Sequence, residues 1–473
     1  MVMGEFTQET DLLVIGGGPG GYAAAFRAAD LGLDVMMVDV AARPGGVCLY
    51  RGCIPSKTYL HLAELINDAR AADAMGLHFE TPGIDLAAVR AWKDRVVDQL
   101  AQGLATLTEK RGVQYLRGRA VFEDERHVRV KGHDALRVKF KNAIIAAGSH
   151  ATAFPGTDFG QGGRIMSSTG ALNLTDIPPK LLIVGGGYVG LELGMVYAAL
   201  GSRISLVEMG DRLLPGVDAD LVAPLKQRLQ GEFETLLFNA RVTAFDVGGD
   251  NVTVQVEGPE GSQSLAANRV LVAIGRLPNT EDLNLAAAGV SLDEGGFIVV
   301  DDRQRTSTAH IFAIGDIVGG AMLAHKAMFE GKVAAEVVAG HPSAFDVRAI
   351  PAVVYTDPQI AWAGITEEAA RRQNLAVQVE KFPWKFSGRA LTTGTPIGLT
   401  KMIIEADSRR VIGVGITGRG AESLIAEGVL AIEMGALAED VALSMHAHPT
   451  LSETKGETAE IFLGAATHIL PRK

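Results

Sequence analysis

The chain of 473 residues contains only two cysteines and three tryptophans, and aromatic residues make up 6% of it. Two thiols cannot staple a secreted scaffold, and a structural zinc site would need ligands that no further cysteine supplies. Positive charge is not in excess: 44 Lys and Arg against 55 Asp and Glu leave a net charge of −11, with no broad footprint for nucleic acid. No apolar run is long enough to span a bilayer, and Leu12 to Ile15 is only strand-sized. The opening MVMGEFTQETDLLVIGGG has no positively charged leader, so no secretory signal is expected and the expected compartment is the cytoplasm. A disordered block is also missing, since 47% of residues are apolar and 21% charged.

Glycine is what the chain has in abundance, at 56 residues, and a length near three times ~150 residues suggests about three domains. The segment DLLVIGGGPGGYAAAFRAADLGLDVMMVD reads as strand (Leu12 to Ile15), glycine turn, helix (Tyr22 to Asp30) and strand (Val35 to Val38). Gly16 permits a tight turn, Gly18 lets a pyrophosphate approach the backbone, and Gly21 allows close helix–strand packing. The helix N-terminus offers free N–H groups to phosphate, and Asp39 can accept hydrogen bonds from a ribose. At this glycine content such a triplet alone is weak. The repeat is not: LLIVGGGYVGLELGMVYAALGSRISLVEMG carries Gly185, Gly187 and Gly190, and Glu208 closes its next strand. Gly16 to Asp39 and Gly185 to Glu208 both span 23 residues. Two dinucleotide sites are expected in one chain, and a carboxylate at the second favours NAD(H) over NADP, with Arg212 the one basic residue nearby.

Both cysteines fall in GGVCLYRGCIPSK, just past Asp39. Pro55 sits where a helix can begin, which places Cys53 at or just before a helix N-terminus, where partial positive charge favours a thiolate. Gly46 and Gly52 would relieve crowding around the pair. Two inert core cysteines fit this setting poorly; a disulfide that opens and closes at each turnover fits it well. Its electrons need a carrier to a nicotinamide, and a flavin in the first nucleotide unit is the natural one.

The segment Cys48 to Lys57, of the form CxxxxCIPSK, resembles the flavin disulfide reductases, and the chain as a whole is similar to the dihydrolipoyl dehydrogenases of the class I pyridine nucleotide-disulfide oxidoreductases. The resemblance implies that Cys48 is the interchange thiol and Cys53 the thiolate against FAD, with Lys57 paired to Glu192. It implies FAD contacts also at Ala120, Gly148, Asp316, Met322, Leu323 and Ala324, and an NAD contact at Gly275. In SMHAHPTLSE it makes His448 the acid–base group, held by Glu453 and acting on the disulfide of the other subunit; read alone, His446 and His448 are loop histidines. A homodimer is therefore implied, serving lipoyl domains and the core acyltransferase of 2-oxo acid dehydrogenase complexes, or a glycine cleavage lipoyl protein. Two departures stand out: Leu-Tyr-Arg-Gly lies between the cysteines where the family has Leu-Asn-Val-Gly, and Asp39 replaces the commoner Glu.

The expected architecture is α/β, with two Rossmann-like dinucleotide-binding domains and a C-terminal α+β dimerisation domain. A first FAD segment runs over 1–149, an NAD domain over 150–276, a second FAD segment over 277–346, and the dimerisation domain over 347–473. Within the last, Val353 to Tyr355, Leu399 to Ile404 and Val411 to Ile416 read as strands and Glu422 to Met434 as helix. Glutathione reductase would be expected to carry arginines after the second nucleotide strand, mercuric reductase a C-terminal cysteine pair, and a soluble transhydrogenase an incomplete CxxxxC. A non-catalytic dinucleotide-binding subunit would hold FAD without thiol-dependent NAD reduction.

Overall fold

The computed structural model describes residues 7–470 apart from 133, 158 and 160–162. The first six strands are β1 (Thr7–Ile15), β2 (Val35–Asp39), β3 (Gln114–Arg117), β4 (Arg119–Phe122), β5 (His127–Lys131) and β6 (Leu136–Ile145). They form one sheet in the order β3-β2-β1-β6-β5-β4, and Ile311–Ala313 returns from far along the chain to pair in parallel with the end of β6. The strand pairs at its centre are parallel, while β4, β5 and β6 make an antiparallel meander. Alternate residues of β1 face opposite sides: Leu12 and Val14 pack with helix α1 (Pro19–Asp30), and Leu13 and Ile15 pack with Phe122, Val128 and Val130. Burial on both faces is why β1 and β2 read as unbroken apolar runs instead of alternating ones.

Small residues set the approach of α1 to the helix Ala324–Val338. A Cβ on Gly331 would lie 2.5 Å from the Gly20 carbonyl oxygen, and Ala24, Ala25 and Ala28 complete the contact. The returning segment thus seals one face of the first sheet.

The second nucleotide unit repeats the plan with five parallel strands in the order Thr235–Leu237, Arg203–Val207, Lys180–Val184, Arg269–Val272, Ile165–Met166. Leu181 and Ile183 face the helix Tyr188–Leu200, whereas Leu182 and Val184 face a three-stranded antiparallel sheet over 241–267.

The C-terminal region is a five-stranded antiparallel sheet, Ala352–Val354, Ile360–Gly364, Val411–Thr417, Leu399–Glu405, Val377–Pro383, covered by the helix Ala421–Met434. The sequence reading anticipates three of these strands and the helix. It misses Ile360–Gly364 and Val377–Pro383, which are short and whose apolar pattern is interrupted by small or charged residues. Lys401, only 1% exposed, ties this sheet to the second nucleotide unit through Asp218 at 2.6 Å and Asp220 at 2.7 Å. Among the described residues, no helix is long and apolar enough to cross a membrane.

Candidate active site

The glycines of the first turn divide the work as their spacing suggests. Gly16 has φ +111°, and a Cβ there would lie 2.2 Å from the Ala146 carbonyl oxygen at the end of β6. Gly21 lies against its own turn, since a Cβ would meet the Gly16 oxygen at 1.8 Å. Gly18 is different: its nearest neighbour would be Gly46 Cα at 3.9 Å, so the backbone at the start of α1 faces open space. Asp39, at the end of β2, accepts hydrogen bonds from the Gly17 N–H at 2.6 Å and the Ala41 N–H at 2.7 Å.

The second turn is built the same way. A Cβ on Gly185 (φ +108°) would lie 2.4 Å from the Ala273 oxygen, one on Gly190 would lie 2.4 Å from the Gly185 oxygen, and Gly187 has nothing within 4 Å. Glu208 accepts from the Gly186 N–H at 2.5 Å and the Gly210 N–H at 2.6 Å. Arg212 pairs with Glu368 at 2.9 Å, away from the Glu208 carboxylate. Gly275 follows Arg269–Val272 with its carbonyl accepting the Thr152 N–H at 3.0 Å.

The first turn also anchors the thiol segment. The Gly45 N–H donates to the Gly17 carbonyl at 2.7 Å, and a Cβ on Gly46 would lie 2.5 Å from Gly18 Cα. A short helix, α2 (Gly46–Arg51), therefore rests on the turn, with Leu49 packed among Val97 and Ala101. The sequence puts Cys53 at or just before a helix N-terminus, and α3 (Cys53–Ala71) begins there, with Pro55 inside its first turn. The sequence does not anticipate α2, which Gly52 separates from α3. A Cβ on Gly52 would sit 3.0 Å from the Val47 carbonyl oxygen, so a side chain at the junction would require that carbonyl to give way by a few tenths of an ångström. Tyr50, one of the two unusual residues, donates through its hydroxyl to the carbonyls of Arg43 and Pro44 at 3.2 Å, while Arg51 is exposed.

Cys48 on α2 and Cys53 at the head of α3 are both free thiols. Their interaction with each other raises Cys48 and, with the Lys57 ammonium, lowers Cys53 to about 7 against the opposing effect of burial. Lys57, one turn along α3, pairs with Glu192 of the helix Tyr188–Leu200 at 2.8 Å. Glu192 is 3% exposed, and its other oxygen accepts the Tyr355 N–H at 3.0 Å, so this buried carboxylate has both oxygens satisfied.

These groups line one cavity of about 310 Å³. Gly16, Gly18 and Asp39 line it together with Cys48, Cys53, Lys57 and Glu192. Gly148, Asp316, Met322 and Ala324 line it too, but Leu323, whose carbonyl accepts the Ala327 N–H at 3.1 Å, does not. Ala120 is buried in β4 beside Phe122 and Val130 and does not line this cavity. Ser149, Tyr188 and Arg276 line it without having been anticipated. The Ser149 hydroxyl donates to Asp316, and the Arg276 Nε donates to Ser149 Oγ at 2.7 Å. No local pattern marks that serine or arginine; the return strand Arg276–Pro278 brings them together by pairing with Ser149–Ala151. An acid for a ribose, an open glycine turn at a helix N-terminus and two thiols along one cavity are a donor set that fits FAD.

His448 Nδ1 lies 2.8 Å from Glu453 Oε1, and Glu453 Oε2 accepts the Thr450 N–H at 2.7 Å. Burial opposes it, but the Thr450 amide and His448 hold the Glu453 carboxyl below its usual range. The imidazole is 71% exposed and does not line the cysteine cavity of its own chain. His446 is built differently. It is largely buried against Glu427 at 2.9 Å, and Lys455 reaches the same carboxylate at 2.5 Å.

Known proteins place this geometry. Residues 10–331 match the pyridine nucleotide-disulphide oxidoreductases, and residues 350–459 match the dimerisation domain of the same family. The chain is 46% identical over 463 residues to a dihydrolipoyl dehydrogenase of Haemophilus influenzae, covering 98% of this chain and 96% of that one. It is 44% identical over 473 residues, the full length of both, to a dihydrolipoyl dehydrogenase of Geobacillus stearothermophilus. Among solved structures it resembles LpdA from Mycobacterium tuberculosis with a TM-score of 0.89 at 26% identity, covering 96% of this chain and 99% of that one. The flavoprotein disulfide reductase RclA from Escherichia coli aligns with a TM-score of 0.84 at 26% identity, covering 95% of this chain and 99% of that one. The chain belongs to the dihydrolipoyl dehydrogenase family of the pyridine nucleotide-disulphide oxidoreductases, whose cofactors are FAD and NAD(H).

Proposed function

We propose that the protein oxidises dihydrolipoyl groups to lipoyl groups with reduction of NAD⁺, as a cytoplasmic homodimer serving the lipoyl domains and core acyltransferase of 2-oxo acid dehydrogenase complexes or the lipoyl protein of glycine cleavage. The observation that carries this reading is the placing of two free thiols with the Lys57–Glu192 pair in a cavity that begins at a dinucleotide-binding turn. In this reading residues 1–149 and 277–346 hold FAD, 150–276 hold NAD, and 347–473 form the dimer interface. Gly16, Gly18 and Asp39 would hold the adenosine and pyrophosphate of FAD, and Asp316, Met322 and Ala324 its middle and ring. Gly185, Gly187, Gly190 and Glu208 would hold NAD. Bound FAD supplies a two-electron relay between the thiol pair and the nicotinamide.

The protein's own groups perform the thiol chemistry. In the oxidised enzyme Cys48 and Cys53 are joined as a disulfide. His448 of the partner subunit, fixed by its Glu453, takes a proton from a dihydrolipoyl thiol, because that thiol ionises poorly near neutral pH. The resulting thiolate attacks Cys48 Sγ, forming a substrate–Cys48 bond and releasing Cys53 as thiolate. The substrate's second thiol then attacks its own sulfur in that mixed disulfide, closing the lipoyl ring and releasing Cys48. The positive charge of Lys57 stabilises the Cys53 thiolate as leaving group.

An anaerobic steady-state assay comparing dihydrolipoamide with glutathione, each with the NAD and NADP couples, tests the proposal. Turnover is expected with dihydrolipoamide and NAD⁺. A preference for glutathione and NADPH would overturn it.

A further inference from the structure

A second, back cavity of about 320 Å³ shares Lys57 with the first and is lined by Tyr355, which the first is not. This back cavity carries four carboxylates: Glu64, Asp68, Asp357 and Glu422. Arg419 meets Glu64 at 3.1 Å and Asp68 at 2.6 Å, Arg228 meets Asp357 at 2.9 Å, and His61 stands beside Glu64. One oxygen of Glu422 is buried without a hydrogen-bond partner among the described residues. The acidic side of the cavity is thus incompletely neutralised. Lys57 has a flexible four-carbon stem, its side chain is 31% exposed, and a bare ammonium does not distinguish one carboxylate from another by shape. Something must keep it facing Glu192 and the thiols.

We propose that Tyr355 is a positioning residue that holds the Lys57 ammonium at the partition between the two cavities, in its pairing with Glu192. Two contacts support this. The Lys57 Nζ lies over the Tyr355 ring, 4.4 Å from its centroid, in cation–π geometry. The Tyr355 backbone N–H occupies Glu192 Oε1, leaving Oε2 directed at Lys57. A ring face is a fitting restraint here because it attracts the cation without competing for its protons. Burial, then Glu422 and Glu192, push the phenol up, so the ring stays neutral. Tyr355 follows the strand Ala352–Val354, so the C-terminal sheet reaches across to set a group on α3. Around Cys53 the other titratable neighbours are Cys48, Lys57 and Glu192, with Tyr22 and Tyr188 in electrostatic reach.

The inference deepens the proposed chemistry and rests on it only for the use of the Cys53 thiolate; its readout is the thiol itself. In a Cys48→Ser holoenzyme Cys53 is the sole thiol of the chain. Far-ultraviolet thiolate absorbance against pH then reports Cys53 alone. Tyr355→Leu should move the midpoint upward by about 0.4 to 1.5 pH units, the span of a cation–π contact. Tyr355→Phe, which keeps the ring, should leave it in place. In a Lys57→Met background the same leucine substitution should shift nothing, because Tyr355 acts through Lys57. If the leucine protein does not fold, progressively fluorinated phenylalanines at position 355 drain the ring face with little change of shape, and the midpoint should climb stepwise. An unmoved midpoint across these variants, or an equal shift without Lys57, overturns the role of Tyr355. A failure of lipoyl turnover would leave this titration interpretable, so the two readings fail separately.

Discussion

At the scale of single residues, two histidines two positions apart are set to different tasks by their neighbours. His448 is exposed and oriented by one carboxylate, which in turn is fixed by the Thr450 amide. Changing His448 to Gln is expected to lower dihydrolipoamide:NAD turnover by about 10² to 10⁴-fold, the usual worth of a general base. Reduction of the bound flavin by NADH, measured in a stopped-flow spectrophotometer, should change far less, since no thiol proton is involved. His446 belongs to packing: a Cβ on Gly456 would lie 2.9 Å from its Nδ1, and its partner Glu427 also receives Lys455. The hydrogen bond to Glu427 raises the His446 pKa above its ordinary 6.5. A raised folded-state value means that the contribution to stability is fully present below the unfolded pKa and fades as pH rises through the folded one. His446→Gln should therefore lower Tm more at pH 6 than at pH 9, as read by thermal denaturation. An equal loss at both would show that the pair acts only through packing.

At the scale of the element, the strand–turn–helix unit appears twice with one hydrogen-bonding plan, in which the acid accepts the amide of the middle glycine and an amide two residues on. The acid is therefore held before any ribose arrives. Glu208→Ala should raise KM for NAD more than it lowers kcat, because ribose contacts are remote from hydride transfer. Steady-state kinetics in NAD concentration separate the two, and an arginine at 208 should narrow the gap to NADP. These units were legible in the sequence because their signals are local: apolar strands buried on both faces, glycines forced by backbone contacts, an acid at a fixed distance. What was not legible depends on contacts between distant segments. The helix Gly46–Arg51 exists because Gly45 and Gly46 dock on the turn at Gly17 and Gly18, and six residues carry too little periodicity to reveal it. Ser149, Arg276 and Tyr355 reach the site only through strands that pair across the fold. Lys57 and Glu192 were placed together by family resemblance, since no spacing links two residues on separate helices.

At the scale of the whole molecule, the two halves of the proposed chemistry are not assembled within one chain. The thiols lie in a cavity walled by both nucleotide units, while the His448–Glu453 pair sits exposed on the C-terminal region, whose residues 350–459 match the dimerisation domain of the family. An isolated chain would thus have redox thiols and no base to deprotonate the substrate. Loss of either component should inactivate, but the losses should be repairable in trans. Cys48→Ser protein should retain flavin and have no lipoyl turnover, and His448→Gln protein should retain its thiols and turn over slowly. Mixed under conditions that exchange subunits, they form heterodimers in which one of the two active centres combines wild-type Cys48 and Cys53 from one chain with wild-type His448 from the other. Activity per heterodimer should return to about half that of the wild-type dimer if the centres work independently, since one of two is intact. Differently tagged subunits allow the heterodimer fraction to be purified and counted, so the measurement does not depend on the extent of exchange. If purified heterodimers remain as inactive as their parents, the base is not His448 or it serves the thiols of its own chain.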